Sequence, residues 1–449
     1  MNPLLAISPI DGRYHDSIPD SMRLLFSEYG LIKKRLFVEI EWLIFQSPEI
    51  SEKDKIFLRA IVINYDTQSA NKIKEIEKIT AHDVKATELF IAQSLPAHLA
   101  SIAPKIHIGL TSEDINNIAY SLILQESSLI IQSQVKTLIG VFVALAHEQH
   151  DTYMIARTHG QAATPTSFGK EMAVYADRLT RVSNQFSTCS YYGKITGASG
   201  SYATFALFEK DAEKTIRSHN TFISNLGLLP IQYTTQIASH DDIAIALSHL
   251  SSIGTIIKDA CVDLWLYCSY GYLLLKNNKN EVGSSTMPHK INPIHFENAE
   301  GNVELGICMA QYLSRSLPCS RLQRDLSGST KMRNLGVAVS HIYLGISNLL
   351  SGLSRVSVHK ELMAKELDNH WEVIAEAIQT AMRKIGIENA YDIIKKESRG
   401  KQLTKDDVQD MLIKYNLQNI LKDISPSTFT GYASYLALKI GLDEPKETK

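Results

Sequence analysis

Three polar, turn-rich stretches carry the side chains of this sequence that are suited to acid–base chemistry. TSEDINN at 111–117 begins with two hydroxyls, RTHGQAATP at 157–165 contains His159, and GSSTMPHKINP at 283–293 has two serines followed by Lys290. An imidazole can transfer a proton near neutral pH, and a lysine beside hydroxyls and free backbone amides can hold an anion. The pattern indicates proton transfer on an anionic substrate, and it favours an anion-binding lid at 283–293.

Each stretch also has a simpler interpretation. Thr111 and Asp114 have the spacing of a capping box, so TSEDINN is also what an ordinary helix start requires. A single loop histidine such as His159 is more often structural or merely solvated than catalytic. The 283–293 stretch could be an ordinary long loop, although long ordered loops between packed helices are uncommon unless they have a function. Spacing alone leaves these alternatives open.

Several other combinations of reactive residues do not have the geometry of a site. HEQH at 147–150 spaces its histidines three apart, so it is not the H-E-x-x-H metal pattern, which spaces them four apart. The serine, histidine and aspartate at 239–241 are sequence neighbours, whose side chains diverge on a helix. The cysteines are odd in number and lack a C-x-x-C pair; they are Cys189, Cys261, Cys268, Cys308 and Cys319. The sequence therefore predicts neither a metal site nor a disulfide framework.

Charge and composition argue against nucleic acid and membrane surfaces as partners. Lys plus Arg number 46 and Asp plus Glu 48, so the net charge of -2 creates no overall field for nucleic acid or a membrane surface. The N-terminal MNPLLAISPIDGRY lacks the basic region of a signal peptide, and ~18 uncharged apolar residues do not run together. We therefore expect a cytoplasmic protein whose partner is a small molecule or another copy of itself.

Apolar residues recur at alternating spacings of three and four through the middle of the chain, which predicts long helices with one apolar face. The segments with this pattern are 131–145, 168–186, 243–264, 305–312 and 332–356. At ~1.5 Å per residue such helices are longer than a small domain needs, so packing against other copies is expected. Alternating strand patterns are scarce, and the fold class is predicted to be all-α.

Proline and glycine breaks divide the chain into three predicted helical domains. Residues 1–105 have short patterns interrupted by several prolines, which suits a small N-terminal domain. Residues 106–358 contain the long apolar patterns and form the central domain. Residues 359–449 are a charged helical region broken by glycines, and the polar tail at 444–449 is expected to be disordered.

Taken together, the three polar stretches resemble the three signature regions of the fumarase/aspartase superfamily. Further similarity runs nearly from end to end, in SPIDGRY at 8–14, HDVKA at 82–86, TTQIASHDDIA at 234–244 and QRDLSGSTKMRNLGV at 323–337. At the position between Pro288 and Lys290 the sequence has a histidine. In this it resembles the branch of the superfamily that acts on succinyl-purine nucleotides, since other branches typically have other residues there. The chain is thus identified as a member of this superfamily.

The resemblance implies a β-elimination that cleaves a C–N bond and releases fumarate. In the branch indicated, adenylosuccinate is split into AMP and fumarate, and the succinyl-carboxamide ribonucleotide of purine biosynthesis is split in the same way. The resemblance also implies that the central domain is a long five-helix bundle. Such bundles assemble into the helical core of a homotetramer, in which each active site is built from three subunits. The reaction implied needs no metal and no organic cofactor.

By resemblance, Ser284 is the general base and His159 is the general acid that protonates the departing nitrogen. A free hydroxyl is a poor base. Closure of the lid would have to help it, by expelling water and bringing Lys290 and backbone amides close to the forming dianion. The implied substrate-binding residues are Arg13, Tyr14, Thr80, Ala81, His82, Asp83, Thr111, Ser112, Gln236, Ser285, Lys290, Asn292, Asn298, Arg324, Ser329, Thr330 and Arg333.

These binding residues divide by the substrate group that they would meet. Four would hold the succinyl carboxylates, namely Thr111, Ser112, Lys290 and Asn292. Two would orient the reacting portion of the substrate, namely His82 and Gln236. Guanidinium and hydroxyl groups would hold the phosphate, because they bind it with several hydrogen bonds at once. These are Arg13, Tyr14, Arg324, Ser329 and Arg333.

Three positions depart from the pattern that the resemblance implies. Ala81 stands where close relatives carry asparagine, Ser199 where a valine is usual, and ENAYD at 388–392 where K-P-Y-E is more familiar. Two alternatives stay open: a lyase of the same superfamily acting on argininosuccinate or a related succinyl compound, and a catalytically silent member with a structural or binding role. The phosphate-type residues weigh against the first alternative, and the presence of Ser284, His159 and Lys290 weighs against the second.

Overall fold

The computed structural model describes residues 3–276, 286–287 and 289–442, and these residues are mainly α-helical. Their helices are α1 (Asp20–Phe26), α2 (Glu28–Phe45), α3 (Glu52–Ile63), α4 (Thr67–Thr80), α5 (Asp83–Ser94), α6 (Ser112–Glu148), α7 (Phe168–Ser187), α8 (Ala212–Asn225), α9 (Asp241–Ser269), α10 (Ile294–Ser316), α11 (Ser327–Met332), α12 (Leu335–Ser354), α13 (Lys360–Asp368), α14 (Ala375–Lys384), α15 (Ala390–Ser398), α16 (Lys405–Lys414) and α17 (Ala433–Lys439). Their strands are β1 (Tyr153–Thr158), β2 (Gln161–Ser167), β3 (Tyr192–Gly193), β4 (Leu229–Pro230), β5 (Leu273–Leu275) and β6 (Val356–Val358). Within the described residues these strands pair only two by two. The all-α class predicted from the sequence is confirmed.

The chain divides into two units, each compact in itself. The first unit comprises Met1–Gln134, Val182–Thr255 and Asn302–Gly345, and the second comprises Val135–Arg181, Ile256–Gly301 and Ile346–Lys449. The three-domain division at residues 105 and 358 and the five-helix bundle stay predictions. The tail at 444–449, expected to be disordered, lies outside the described residues.

The N-terminal helices of the first unit pack around an apolar core drawn from α2 to α5. Leu36, Leu58 and Ile73 are fully buried there, on the inner faces of amphipathic helices. Each of the four helices begins at a side chain that accepts a hydrogen bond from a backbone amide of the first turn, namely Ser27, Ser51, Asp66 and His82. Such caps satisfy amides that have no partner inside the helix. The last of these caps, His82, is also a predicted site residue.

Three long helices approach one another closely at Ile342 of α12, and the parts that meet there belong to the first unit. A Cβ added to Gly254 on α9 would lie 2.7 Å from the Ile342 Cδ1, and one added to Gly306 on α10 would lie 2.8 Å from the same atom. The two glycines therefore leave the space that the fully buried Ile342 side chain occupies. Gly254, an apparent gap in the apolar pattern, is a packing residue.

The apolar pattern at 332–356 does not form the single helix that was predicted. Helix α11 ends at Met332, α12 begins at Leu335, and Val356 is the first residue of β6, where it pairs with Leu275. Met332 is nevertheless buried, and Val356 is partly buried. Residues beyond both ends of α12 are thus apolar because they are buried, and the apolar spacing extends past the helix for that reason.

The second unit contains a β-hairpin supported by the C-terminal helices. Strands β1 and β2 pair antiparallel and close at Thr158 and Gln161. Ile155 of β1 shares one apolar core with buried residues of the C-terminal region, among them Ile378 of α14 and Leu417. This core supports the base of the hairpin, and the tip carries His159.

An aromatic cluster in the first unit buries His219 of α8. The ring centroid of His219 lies 4.3 Å from that of Phe205, 5.4 Å from that of Trp42 and 5.6 Å from that of Tyr202. Its Nδ1 is 3.2 Å from the carbonyl oxygen of Ile195, to which it can donate a hydrogen bond. Burial lowers the pKa of His219 to about 4, because a charged imidazolium would lose its hydration.

We expect His219 to make the chain sensitive to acid between pH 6.5 and about 4. In this window the unfolded chain binds a proton at residue 219 that the folded chain does not, so stability is fully present above pH 6.5 and falls as the pH is lowered. The loss should reach about 2 kcal/mol at pH 5. Melting temperatures at pH 7 and pH 5 should therefore differ less for His219→Asn, which cannot titrate, than for the wild-type chain. The control is His98→Asn, at an exposed histidine, which should keep the wild-type difference; an equal difference in His219→Asn would contradict the assignment.

Three helical stretches among the described residues are long and apolar enough to cross a membrane by length and composition, namely Ser112–Glu148, Asp241–Ser269 and Ser327–Ser354. None of them is an uncharged run, because each contains a few charged residues. In the most apolar window of α6 only 28% of the residues are buried inside the chain. Much of the apolar surface of this helix is therefore available to a further layer of packing.

Candidate active site

A cavity of about 350 Å³ in the first unit brings several predicted binding residues together. It is lined by the start of α5, the start of α6 and residues between 317 and 333. The predicted residues that line it are Ala81, His82, Asp83, Ser112, Arg324, Ser329 and Arg333. Four motifs that are far apart in the sequence thus meet at one place, namely HDVKA, TSEDINN, TTQIASHDDIA and QRDLSGSTKMRNLGV.

His82 connects two of these motifs. Its Nδ1 accepts a hydrogen bond from the Lys85 amide at 3.2 Å, and its Nε2 lies 3.4 Å from the Oγ of Ser112. Because Nδ1 is an acceptor, the neutral ring carries its proton on Nε2, on the side of Ser112. The side chain is 50% exposed. The ring is therefore held in one orientation while it remains open to a ligand.

Ala81, the residue before it, has a left-handed backbone. It ends α4 with a φ of 52°. This conformation costs an ordinary L-residue roughly 1 kcal/mol, and asparagine tolerates it better than alanine does. The asparagine that the resemblance implies at this position would fit the backbone, so alanine is a locally unfavourable residue here.

Ala81→Asn should therefore raise the free energy of unfolding, by about 0.5–1 kcal/mol. The matched control is Ala70→Asn within α4, where asparagine replaces the best helix former and should lower the free energy of unfolding by about 0.5 kcal/mol. Thermal melting should thus shift upwards for the first variant and downwards for the second. A downward shift in both would show that the contacts of residue 81, and not its backbone, dominate.

Asp83 is held between two arginines at the cavity wall. Its Oδ2 lies 2.7 Å from the Nη2 of Arg35 and 3.6 Å from the Nη2 of Arg333. Burial raises the pKa of Asp83, but the two guanidinium groups outweigh burial, and the pKa lies below its ordinary value. The carboxylate is charged at neutral pH and fixes the positions of both arginines.

Arg35 of α2 is a cavity residue that the sequence analysis missed. It is 2% exposed, and its Nε donates to the Oδ1 of Asn116 at 2.8 Å. Its Nη1 is buried and has no hydrogen-bond partner among the described residues. A guanidinium with an unused N–H group is suited to an anionic ligand. No signal marked it, since the surrounding LIKKRLF reads as ordinary helix.

Tyr120 and His240 also line the cavity and were missed. Burial raises the pKa of Tyr120 to about 12 and lowers the pKa of His240, so both side chains are neutral near pH 7. His240 has a φ of 60°, a strained conformation of the kind that clusters at functional sites. The TTQIASHDDIA motif was the available signal for His240, which the sequence analysis considered only as a member of a triad.

A line of polar contacts leads from the cavity wall to Gln236. The Nη1 of Arg324 donates to the Oε1 of Gln236 at 2.9 Å, and its Nη2 lies 3.4 Å from the Oε1 of Glu113. The Nε2 of Gln236 donates to the carbonyl oxygen of Ala198 at 3.0 Å. Gln236 lines an adjoining open cleft, which it shares with Arg324. Arg324 therefore lines both the 350 Å³ cavity and the adjoining cleft.

The remaining predicted residues of the first unit do not line the 350 Å³ cavity, and their roles stay predictions; they are Arg13, Tyr14, Thr80, Thr111 and Thr330. Thr111 nevertheless begins α6 as expected. Its amide donates to the Oδ2 of Asp114 at 2.9 Å, which is one arm of the predicted capping box. In place of the second arm, the Asp114 amide donates to the carbonyl oxygen of Thr111 at 2.8 Å, and not to its hydroxyl.

His159 lies at the tip of the β1–β2 hairpin in the second unit. His159 and Gly160 form its two-residue turn, with φ values of 54° and 73°, the pattern of a type I′ turn. The sequence predicted a turn leading into the helix at 168; a strand, β2, lies between the two. The histidine is exposed. Arg157, two residues before the tip, pairs with Glu366 and packs on the ring of Tyr270, so the exposed imidazole has a rigid support.

The described part of the predicted lid contains an exposed lysine. Lys290 is exposed, and its amide donates to the carbonyl oxygen of Met287 at 3.0 Å. Asn292 follows it and is partly buried. Asn298 lies on α10, where its Nδ2 donates to the Oδ1 of Asn348 at 3.1 Å. These residues belong to the second unit, and their roles toward a substrate stay predictions.

Ser284 and Ser285, the predicted base and its neighbour, lie outside the described residues. The described chain before them includes β5, which pairs antiparallel with β6, and the described chain after them continues into α10.

One group of side chains among the described residues has the composition of a metal site. Glu39, Glu88 and His107 each place one possible ligand atom within 4.8 Å of the others. The closest two atoms, the Nδ1 of His107 and the Oε1 of Glu39, are 2.6 Å apart. This is the distance of a short charged hydrogen bond, and it is less than two ligands of one ion normally keep. The group is a buried hydrogen-bonded cluster of the N-terminal helices.

Similarity to known proteins covers nearly the whole chain. Residues 20–304 match the family described as Lyase, and residues 320–430 match the family described as Adenylosuccinate lyase C-terminal. Over 455 residues the chain is 38% identical to the adenylosuccinate lyase of Vibrio cholerae serotype O1, an alignment that covers 98% of this chain and 100% of the relative. The chain belongs to the adenylosuccinate lyase family. The assignment to the fumarase/aspartase superfamily, made from three short motifs, is confirmed.

Another adenylosuccinate lyase, that of Escherichia coli K12, is 38% identical over 448 residues, which cover 96% of this chain and 98% of the relative. Two solved structures have the same fold. The fumarate lyase from Mesorhizobium sp. BNC1 superposes with a TM-score of 0.74 over 94% of this chain and 97% of that chain. The 3-carboxy-cis,cis-muconate lactonizing enzyme from Pseudomonas putida superposes with a TM-score of 0.73 over 94% and 96%. At 18% identity these two structures show the fold of this adenylosuccinate lyase family member and not its substrate.

Proposed function

We propose that the chain is a C–N lyase that eliminates fumarate from adenylosuccinate, giving AMP, and from the succinyl-carboxamide ribonucleotide SAICAR, giving AICAR, in purine biosynthesis. One observation carries the proposal. A chain that is similar over nearly its full length to adenylosuccinate lyases has a cavity where Ser112 of one motif meets Arg324, Ser329 and Arg333 of another. Such groups bind phosphate and carboxylate through several charged hydrogen bonds at once.

In the proposed mechanism, the Ser284 hydroxyl first loses its proton to water, and the alkoxide then removes the proton from the carbon next to a succinyl carboxylate. The electron pair of that C–H bond forms the new double bond of fumarate, and the C–N bond breaks. His159 donates a proton to the nitrogen that departs. Lys290 and backbone amides of the 283–293 lid stabilise the dianion that forms in between, more strongly once water is excluded.

The remaining binding groups keep the roles inferred from the sequence. Ser112 and Thr111 would hold the succinyl carboxylates at the start of α6, where the helix N-terminus favours negative charge. His82, whose Nε2 lies beside Ser112, would orient the reacting portion. Arg324 and Arg333 would hold the phosphate, and we add Arg35 to this anion-binding set because its Nη1 is unused.

The charge of the cavity supports a site that is completed by other subunits. Its described lining includes three arginines against four carboxylates, which are Glu77, Asp83, Glu113 and Asp325. Adenylosuccinate carries a charge of roughly −4 at neutral pH, from its phosphate and two carboxylates. Binding this substrate therefore needs more positive charge than the described lining of the cavity supplies. Arg13 and Lys290 are both exposed, and we place them, together with His159, in sites shared between copies of the chain.

Exposed apolar residues on long helices support the homotetramer that such sharing requires. Leu305, Cys308 and Tyr312 of α10 follow the helical apolar spacing, yet all three are exposed in the single chain. Leu129 of α6 is exposed as well. Apolar faces of this kind favour burial against other copies. In this proposal the long apolar helices face one another across subunits, and the membrane has no part in the function.

The proposed reaction uses side chains, backbone amides and water for its proton transfers and charges, and in this proposal it needs no metal and no organic cofactor. The proposed partners are a small purine nucleotide and other copies of the chain, and nucleic acid is not among them. We place this activity in the cytoplasm, where purine biosynthesis would occur.

An absorbance assay for fumarate tests the function. The purified chain should release fumarate from adenylosuccinate and from SAICAR when each is offered separately, but not from argininosuccinate, malate or aspartate. Release from argininosuccinate alone would favour the other lyase of the superfamily. No release from any of the five compounds would favour a silent binding protein and would overturn the proposal.

A further inference from the structure

A fully buried ion pair lies behind the cavity wall in the first unit. The Nζ of Lys194 is 2.8 Å from the Oδ1 of Asp114, and both side chains are 0% exposed. Taking two charges out of water is costly, and an apolar pair of similar volume is often as stable or more stable. Stability alone therefore does not account for these two residues.

Asp114 binds two separate segments of backbone in addition to Lys194. Its Oδ1 accepts the amide of Thr196 at 3.1 Å, and its Oδ2 accepts the amide of Thr111 at 2.9 Å. One carboxylate thus ties the start of α6 to the segment at 194–196. Asparagine offers a single acceptor oxygen, and an apolar residue offers none, so either replacement leaves at least one donor without its partner.

Both the backbone and the charged ammonium group of Lys194 have hydrogen-bond partners. The Oδ1 of Asn117 accepts the Lys194 amide at 2.9 Å, and the Nδ2 of Asn117 donates to the Lys194 carbonyl oxygen at 3.2 Å. The Nζ of Lys194 donates in addition to the carbonyl oxygen of Gly197 at 3.4 Å. Lys194 therefore connects the first turns of α6 with the turn at Gly197, whose φ is 79°.

These contacts close into a ring that includes part of the cavity wall. From the turn at 197–198, the line of contacts passes through Gln236 to Arg324 and from there to Glu113, the neighbour of Asp114. Ser112, Glu113 and Arg324 all line the cavity. We propose that Lys194 and Asp114 are positioning residues. They fix the start of α6 and the Arg324 side chain relative to each other, and the contact to Arg324 runs through Gln236. The consequence for turnover rests on the proposed function, whereas the structural role does not.

Turnover is tested with Lys194→Met, which keeps the length of the side chain, with Asp114→Asn, and with the double variant. Well below its melting temperature, each single variant should lose about 100-fold in kcat/KM for adenylosuccinate, because misplacement of binding groups by about 1 Å has effects of this size. KM should rise and kcat should fall, since the ring contacts groups used in binding and in the reaction. The double variant should be no worse than the poorer single variant, because both residues act through one ring. Losses that multiply in the double variant would overturn the proposal.

A matched control separates positioning from simple loss of stability. Leu58→Ala removes a fully buried side chain of the α3 core outside the ring. It should lower the melting temperature through the cavity that it leaves, while kcat and KM stay near their wild-type values. Equal losses of kcat/KM in Leu58→Ala and Lys194→Met would show that the ring has no special role.

Amide hydrogen exchange tests the structural role without any assay of activity. In Lys194→Met, peptides covering 109–117 and 194–198 should both lose protection at exchange times too short for global unfolding, and in Leu58→Ala neither should. Unchanged protection in Lys194→Met would overturn the proposal even if its activity fell. If the wild-type chain released no fumarate, the proposed function would fail, and the exchange result would still decide whether Lys194 positions the two segments.

Discussion

His159→Asn should lower kcat for adenylosuccinate by about 100-fold or more, the size expected for loss of a general acid, while the melting temperature stays unchanged or rises slightly. The turn at the hairpin tip explains this combination. Residue 159 has a φ of 54° and precedes Gly160, and Asn-Gly is a strongly preferred sequence for a type I′ turn. The substitution therefore preserves the hairpin and removes only an exposed imidazole.

The measurement is fumarate release from adenylosuccinate, with melting recorded on the same samples. His98→Asn makes the same chemical change at an exposed histidine bonded to Asp54, and it should leave kcat unchanged. Wild-type-like turnover in His159→Asn would remove the imidazole from the acid role. A fall of more than a few degrees in its melting temperature would contradict the assignment of the turn.

Ser284→Ala should eliminate the chemical step, with a loss in kcat of roughly 10³-fold or more, and should leave nucleotide binding and tetramer mass near their wild-type values. The proposed base is a single hydroxyl, and alanine removes it at almost no change in volume. Calorimetric titration with AMP and light scattering on the same preparation serve as controls. Turnover close to wild type would exclude Ser284 as the base.

Mixing the two inactive variants should restore activity if each site draws His159 and Ser284 from different subunits. In randomly mixed tetramers, about a quarter of the sites would combine an intact His159 from one copy with an intact Ser284 from another. The mixture of His159→Asn and Ser284→Ala should therefore recover about a quarter of the wild-type kcat. Native mass spectrometry checks that mixed tetramers form. A mixture that contains mixed tetramers and stays inactive would refute the shared site.

The fold class and the family could be predicted from the sequence because both are encoded in short stretches of chain. Alternating apolar spacings of three and four predicted α6, α7 and α9, and a helix with one buried face needs no more information than that. The motifs that carry Ser112, His159 and Arg324 consist of neighbouring residues, so they can be recognised without knowing what they contact. The same local information failed at 332–356, where burial continues the spacing beyond the ends of α12.

The composition of the cavity could not be predicted in the same way. Arg35 lies in a helix with no distinguishing motif, and it enters the cavity wall because α2 packs next to the start of α5, where Asp83 binds it. His240 is marked as a candidate by its burial at the cavity and its left-handed backbone, neither of which can be read from its neighbours in the chain. The unfavourable conformation of Ala81 is equally invisible until the end of α4 is known.

The sequence by itself determined that the chain is helical, which family it belongs to and which side chains are candidates for proton transfer and anion binding, since each of these depends on residues close together in the chain. Only the tertiary structure decided that residues 82, 112, 324 and 333 line one cavity, that Lys194 and Asp114 tie its wall together, and that His159 stands at the tip of a hairpin. The physical reason is that such contacts join residues up to hundreds of positions apart. They form when whole helices pack to bury their apolar faces, and the spacing within any one segment does not specify that packing.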